Sequence, residues 1–548
     1  MINLQFNKQI LSQPLILLLA IAITLGIGFR FFNLDQKVYW HDEVFTSLRA
    51  AGFNRTDIDR ELFQNQIIPA PELQKYQQIQ PGSTFQGTLS SLTIENPHHP
   101  PLYYLIARFW MQQFGGSLIA SRSLPALISL LSLPLIYVLA WQLFHSHLTA
   151  WLATTFLALS PFDILFAQTA RQYSLVTVLI IGSSILLLKG LDSRSWKNWG
   201  FYSLVSALGL YSHLFFVLTL IAHGVFVFSN WLLSNYVEKN SSETTSNPSK
   251  IQLLIQTLPL DFFIASIAII ILYIPWIIVV MNNLQRVSDT TNWAREIVGF
   301  DFLVKLWILS FSCLFMDLDF GFNSIATYLL RLLFLIIIGF GVYTVCRYCS
   351  LSTKLFILTA IFVPFIILVI PDLVWGGKRS AITRYLISCF PAIHLSVAYL
   401  LARYLGSDRA FRLGGQKFWQ VVLAMLLTAS IASCTVSAFS DTWWSKSLSY
   451  FNGEVAKKVN ASDSPLLLSD VGDNYTNTGD LISISYLLDD DVQLLLLSKP
   501  PDLKMAGGES EMFVFRPSGK LREAIKAKQW ELKSAVAGEL WRVQKPEL

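Results

Sequence analysis

The sequence predicts an all-α polytopic membrane bundle of about eleven spans, with juxtamembrane helices in the first external loop and a small C-terminal α/β domain. Three observations carry this. The 548 residues are 53% hydrophobic and 14% charged, where an ordinary soluble domain carries about 25% charged residues. Apolar runs long enough to cross a bilayer recur along most of the chain. Beyond residue 440 those runs stop, and short strand-like and helix-like segments replace them.

The first run, 11–32, is longer than the roughly 7–15-residue core of a signal peptide and no A-x-A cleavage pattern follows it, so it reads as a retained span. Residues 33–100 are polar and irregular, with five prolines (Pro69, Pro71, Pro81, Pro97 and Pro100) and Pro101 directly after them. Loops of that length usually carry function or disorder. "HPPLYYLIARFWMQQFGGS" follows. Its apolar part, Leu102 to Phe114, would make a helix only about 20 Å long, and it contains Arg108 and two glutamines. A helix lying in the membrane interface fits better than a span. Further spans are expected at 118–144, 148–166, 172–190, 198–212, 214–233, 259–281, 325–346, 354–371, 386–404 and 419–439. Lys189, Arg194 and Lys197, then Lys239 and Lys250, Arg347 and Lys354, and Arg403, Arg409, Arg412 and Lys417 then fall in inner loops, in keeping with the positive-inside tendency. The stretch 239–250, "KNSSETTSNPSK", reads as a polar linker. In the tail, "PLLLSD", "VQLLLLS" and "EMFVFRPS" read as strands and "KLREAIKAKQW" as a helix. The chain is thus expected to divide into a transmembrane domain, 1–440, and an extracytoplasmic α/β domain, 441–548.

A net charge of +5 without a polybasic block gives no sign of a nucleic-acid partner. The cysteines Cys313, Cys346, Cys349, Cys389 and Cys434 lie in or beside apolar runs, and "CRYC" at 346–349 lacks the second pair that a metal or redox site needs.

The predicted topology brings several reactive side chains to one side of the membrane. Asp42 and Glu43, in "VYWHDEVFTSLRA", can act as general base or hold a metal, and also suit a helix start as first-turn acids. Asp163 and Arg171 lie in "SPFDILFAQTARQYS". They can pair with each other across two spans, or Arg171 can grip a phosphate, with Tyr173 adding a hydroxyl. Arg384 and Tyr385, after Lys378 and Arg379, suit an anionic headgroup or plain interfacial anchoring. His98 and His99 precede a Pro-Pro, and His213 lies in "GLYSHLFF". Each is a loop histidine or a ligand contact, without zinc-type spacing. Asn292, Trp293 and Arg295 can reach over a substrate.

The ordered set "HDE", "HPPLYYLIARFW", "FGGSLIASRSLPALISLL", "SPFDILFAQTARQYSL", "GLYSH" and "RYLISCFPAI" resembles the GT-C membrane glycosyltransferases, in particular the protein O-mannosyltransferase and aminoarabinose lipid A transferase family, over roughly residues 1–440. The resemblance implies a helical bundle with flat juxtamembrane helices. It also implies transfer of a sugar from a polyprenyl-phosphate carrier to a lipid, glycan or protein acceptor on the far side of a bacterial plasma membrane. In that frame Asp42 takes the place of the catalytic base, with Glu43 beside it. Arg171 with Tyr173, and Arg384 with Tyr385, hold the carrier phosphate, and Asp163, His99 and His213 line the substrate. The family's "EAR" is "TAR" here, with Thr169 in place of the acid, which weakens a metal site on that loop. No cofactor is certain and a divalent metal is left open. The competing class is a transporter or flippase for a lipid-linked or anionic substrate, which an inverted repeat would favour.

Overall fold

The computed structural model describes residues 13–193, 195–241, 258–318, 320–406, 415–506 and 511–546. The linker stretch 239–250 falls largely outside them, as do Arg194, Lys250, Arg409 and Arg412.

After α1 (Gln13–Phe31) come α2 (His41–Ala51), α3 (Arg55–Leu62), strand β1 (Gln66–Pro69), α4 (Phe85–Glu95) and α5 (Leu102–Phe114). The bundle continues with α6 (Leu118–Leu130), α7 (Ser132–Phe144), α8 (His147–Leu159), α9 (Pro161–Ala167), α10 (Tyr173–Ser193), α11 (Trp196–Ser212) and α12 (Phe216–Ser241). It is completed by α13 (Leu260–Asn282), α14 (Leu284–Thr291), α15 (Phe300–Ser312), α16 (Ile325–Tyr348), α17 (Leu351–Trp375), α18 (Phe390–Leu405) and α19 (Gly415–Ala438). The C-terminal part holds α20 (Asn452–Asn460), β2 (Leu466–Ser469), α21 (Asn477–Ser485), β3 (Gln493–Leu496), β4 (Met512–Phe515), α22 (Gly519–Ala527), β5 (Glu531–Val536) and β6 (Leu540–Gln544).

The chain is a multi-pass membrane protein, with fewer full spans than the eleven apolar runs suggested. Among the described residues eight helical segments are long and apolar enough to cross, with α6 and α7 counted together as one (Leu118–Phe144), and nine if α8 and α9 also count as one bent span. The two remaining runs form α11, of 17 residues, and α18, of 16. At about 1.5 Å per residue neither covers a hydrocarbon core of roughly 30 Å. The segment 282–324, expected to be connector, contains the 13-residue α15, whose Asp301 and Lys305 broke the apolar run in the sequence. A helix is present where one was expected near 101–115, as the 13-residue α5.

The 55° bend between α8 and α9 has an identifiable cause. Pro161 has no N–H to give the Leu157 carbonyl, and the Phe162 N–H goes to Cys313 O instead of Ala158 O. Both orphaned carbonyls accept from the buried guanidinium of Arg30, which reaches across from α1. The break ends α9 at the segment 168–172, which then carries Arg171.

At the end of the bundle that carries the sheet, the first loop and the tail share one core. The six-stranded sheet has order β1-β3-β2-β4-β6-β5, with β3, β2 and β4 parallel, and β1 antiparallel on β3 through Gln66↔Leu496 to Pro69↔Gln493. Alternation along the strands sorts the side chains. Leu467, Leu494, Leu496, Phe513 and Phe515 pack with Val44, Phe45, Leu48 and Ile58 of the first loop. Leu466, Leu468, Leu495, Met512 and Val514 pack under Leu521 and Ile525 of α22. The strands expected in the tail are present. The β5–β6 hairpin was not anticipated, because its exposed faces are polar and broke the apolar pattern.

Candidate active site

The helix α2 starts on its own acid. Glu43 sits at the third helical position and accepts the N–H of Trp40, while Gly52, at φ 96°, ends the helix by turning its N–H back to Leu48 and Arg49. Adjacent residues on a helix point about 100° apart, and here that angle separates two environments.

Glu43 is fully buried. Its Oε1 accepts from Arg122 Nε at 2.9 Å and from Ala170 N at 2.7 Å. Its Oε2 accepts from Arg122 Nη2 at 3.0 Å, Lys446 Nζ at 2.8 Å and Trp40 N at 3.1 Å. Arg122 spends its other donors on the carbonyls of Leu34, Lys37 and Val38. Five donors thus converge on the Glu43 carboxylate, which ties α2, α6, the 168–172 segment and the tail together. Burial acts to raise its carboxyl, but Arg122 and Lys446 outweigh that and hold it at about 2.

Asp42 points the other way and keeps 28% of its side chain exposed, with Arg384 Nη2 at 3.8 Å from Oδ2. Burial pushes its carboxyl up, but Arg171 and Arg384, with His41 and Arg49, more than offset this and leave it below the usual range. Arg171 donates to the Asp42 backbone carbonyl at 3.2 Å, to Thr46 Oγ1 at 2.9 Å and to Tyr104 Oη at 3.3 Å. Its guanidinium is thus anchored on α2 and α5 beside the carboxylate. Arg384 lies among aromatic rings, 5.1 Å from the centroid of Trp40, 5.7 Å from Tyr385 and 5.9 Å from Trp293. Trp293, from the segment after α14, therefore does reach the cluster.

The histidines line the same space. His98 and His99 lie 4.2 Å apart, ring to ring, and Tyr173 is 6.0 Å from His213. His213 Nδ1 accepts the Phe215 N–H at 3.1 Å, which places its proton on Nε2. Burial, reinforced by the surrounding arginines, lowers His98 and His213 to about 3 and His99 well below its ordinary value, so all three are neutral imidazoles.

Asp163 is placed elsewhere. It forms no ion pair with Arg171. It sits on α9 with His394 of α18, Nε2 to Oδ2 at 3.4 Å, so of the two roles left open from the sequence the ion pair with Arg171 is not formed. Thr169, where an acid was looked for, gives its hydroxyl to Leu165 O. Among the described residues no three or more His, Cys, Asp or Glu side chains converge to hold a metal. A carboxylate ringed by three guanidinium groups does not suit a divalent cation.

Sequence reasoning passed over Arg122, Lys446, Tyr104 and Thr46. Arg122 had a signal, since an arginine inside "ASRSLPALISLL" opens a span and needs a partner. Lys446, in "WWSKSLSY", had none.

Residues 98–240 match the family model for dolichyl-phosphate-mannose-protein mannosyltransferase. Among solved structures, ArnT from Cupriavidus metallidurans bound to undecaprenyl phosphate aligns with a TM-score of 0.53 at 11% identity, covering 97% of this chain and 98% of that one. The same protein in the apo state gives 0.51 at 11% identity, covering 96% and 97%. No curated protein sequence matches. The resemblance read from the motifs thus recurs as a family pattern in one stretch and as the ArnT fold over nearly the whole chain.

Proposed function

We propose that this membrane protein, with the mannosyltransferase family's pattern at 98–240 and the fold of ArnT, is a glycosyltransferase that takes a sugar from a polyprenyl-phosphate carrier. One observation carries the reading. A half-open, ionised Asp42 lies against two arginines, Arg171 and Arg384, at the end of the bundle where spans give way to the sheet.

The carrier phosphate docks on Arg171 and Arg384, whose guanidinium groups suit phosphate oxygens. The acceptor hydroxyl oxygen attacks the anomeric carbon and gives its proton to Asp42. The bond from that carbon to the phosphate oxygen breaks, and the electron pair leaves on the polyprenyl phosphate. Charge grows on that phosphate as the bond breaks, so the arginines act most strongly in the transition state. A single displacement inverts the anomeric centre. Neutral His213 and Tyr173 supply uncharged hydrogen-bonding groups for the sugar. Glu43 holds α2, the 168–172 segment and the tail in register. The active site and the C-terminal domain face the extracytoplasmic side of a plasma membrane.

The test uses membranes carrying the full chain and a radiolabelled polyprenyl-phosphate sugar. Label must move to a membrane or soluble acceptor, with free polyprenyl phosphate released in equal amount. Label that crosses the bilayer still joined to its carrier identifies a flippase and overturns the proposal.

A further inference from the structure

The tail grips the start of α2 at every second or third residue. The Val38 N–H goes to Asp441 O at 2.8 Å, the His41 N–H goes to Ser449 Oγ at 2.8 Å, and Glu43 accepts from Lys446 Nζ at 2.8 Å. Asp42 stands between the last two, and its carboxylate is left facing Arg384. Both chain neighbours of the proposed base are therefore fixed by one segment of the tail.

His41 is held by its side chain as well. Its Nδ1 stands 3.3 Å from Oδ2 of Asp480, in the first turn of α21. Asp480 is fully buried. Its Oδ1 accepts from Ser449 Oγ at 2.6 Å and from Asn452 Nδ2 at 3.3 Å, and its Oδ2 accepts from Arg516 Nη1 at 2.6 Å. Burial pushes its carboxyl up, but His41 and Arg516, with Ser449, outweigh that and hold it at about 2. The imidazole is wedged between helices. Its ring lies 4.9 Å from that of Phe45, and a Cβ added at Gly479 would come within 2.7 Å of both His41 Nδ1 and Phe45 Cε2.

Docking of the tail does not call for this network. Val44, Phe45 and Leu48 share one core with Leu481, Ile482 and Ile484, which already joins α21 to α2. Buried charges add little net adhesion to such a core. A fully satisfied polar network adds direction, and here the residue it directs is the one before Asp42.

We infer that Asp480 is a positioning residue for Asp42: through His41 it fixes the first turn of α2, and with it the direction of the carboxylate that faces Arg384. This rests on the glycosyltransferase reading and gives the C-terminal part a share in the geometry of that reaction.

The test uses the full chain in lipid nanodiscs and a radiolabelled polyprenyl-phosphate sugar, with transfer rates expressed per folded chain. Asp480→Asn keeps the shape and an acceptor oxygen, and His41→Phe keeps a ring against Phe45. Each should lower the rate at saturating carrier by at least about tenfold, since a 1 Å misplacement can cost about 10²-fold. The carrier KM should stay within about twofold of the parent's. The double variant should lose no more than either single one, because residues that act in series are not additive. Losses that multiply, a change confined to KM, or a full rate per folded chain with only a lower unfolding temperature overturns the inference. Should Asp480→Asn not fold, His41→Phe alone decides, and a rate within about threefold of the parent's overturns it. Failure of the transfer reading shows instead as no label moved by the unmutated chain, whereas this inference fails in the variants while the parent still transfers.

Discussion

Asp42 and Glu43 are neighbours in the chain, yet they belong to two regions built on opposite terms. Glu43 is the centre of a closed knot in which five donors from four segments leave nothing free. Asp42 is the edge of an open one, where three guanidinium groups hold a carboxylate ionised without saturating it. Burial with complete pairing gives rigidity, and partial exposure with unbalanced charge gives reactivity. The first makes the second usable, because the Ala170 N–H on Glu43 sets where Arg171 stands against Asp42.

The comparison breaks most visibly in activity. Asp42→Asn removes the proposed base and should lower transfer by about 10²–10⁴-fold at unchanged carrier KM, with thermal unfolding in detergent unaltered. Single-turnover kinetics on the nanodisc protein measure this. A rate within threefold of the parent's would return Asp42 to the role of helix-starting acid.

Glu43→Gln should behave in the opposite sense. It leaves Arg122 and Lys446 buried without their counter-charge, a loss of about 3–5 kcal/mol when one member of a buried pair goes. The expected result is a lower unfolding temperature and low yield. If instead Glu43→Gln is as stable as the parent but inactive, Glu43 takes part in the chemistry.

Arg384→Lys is a milder change. The ammonium keeps charge but loses the planar fork and the aromatic stacking. The apparent KM for the carrier should rise by roughly tenfold while kcat moves less. A change confined to kcat would shift Arg384 from binding the phosphate to assisting its departure.

The smallest effect is one of pH. The proposed base, Asp42, has to be deprotonated to act and its carboxyl lies below the ordinary range, so the acid limb of the rate profile should fall below about pH 4. No inflection is expected near 6.5, because His98 and His213 titrate near 3. Glu43 adds a stability limb with a definite sign. Its folded value, about 2, lies below its ordinary 4.5, so the stability it contributes is complete above 4.5 and is lost as pH falls toward 2. An inflection near 6.5 in the rate would assign proton transfer to an imidazole.

Much of this was legible in the sequence where chemistry and periodicity agree. Asp42, Arg171, Arg384 and Tyr385 do meet, because charged groups at span ends have few places to go. The spans were overcounted because hydropathy reads apolar runs, and α11 and α18 are apolar by burial among other helices as much as by contact with lipid. Proximity in sequence made a pair of Asp163 with Arg171 one of its two open roles. The bend at Pro161 instead turned it toward His394, and no local pattern encodes that partner 231 residues away. The roles of Arg122 and Lys446 were hidden for the same reason, since Lys446 and Glu43 are separated by 403 residues.

β1 gives the molecule a schedule. Its partner strand is made roughly four hundred residues after it, which at about 5–20 residues per second is some 20–80 s of synthesis. Through that interval the first loop waits with one strand unpaired and the apolar face that packs on the tail uncovered. The sheet end of the protein can therefore close only after the last span is inserted and the tail has followed it. A chain truncated anywhere before residue 493 would leave an open strand edge, the kind of surface that invites aggregation or proteolysis. Completion of the sheet thus acts as a proofreading step on the whole polypeptide, because the loop that carries Asp42 is roofed only when the far end of the chain has arrived.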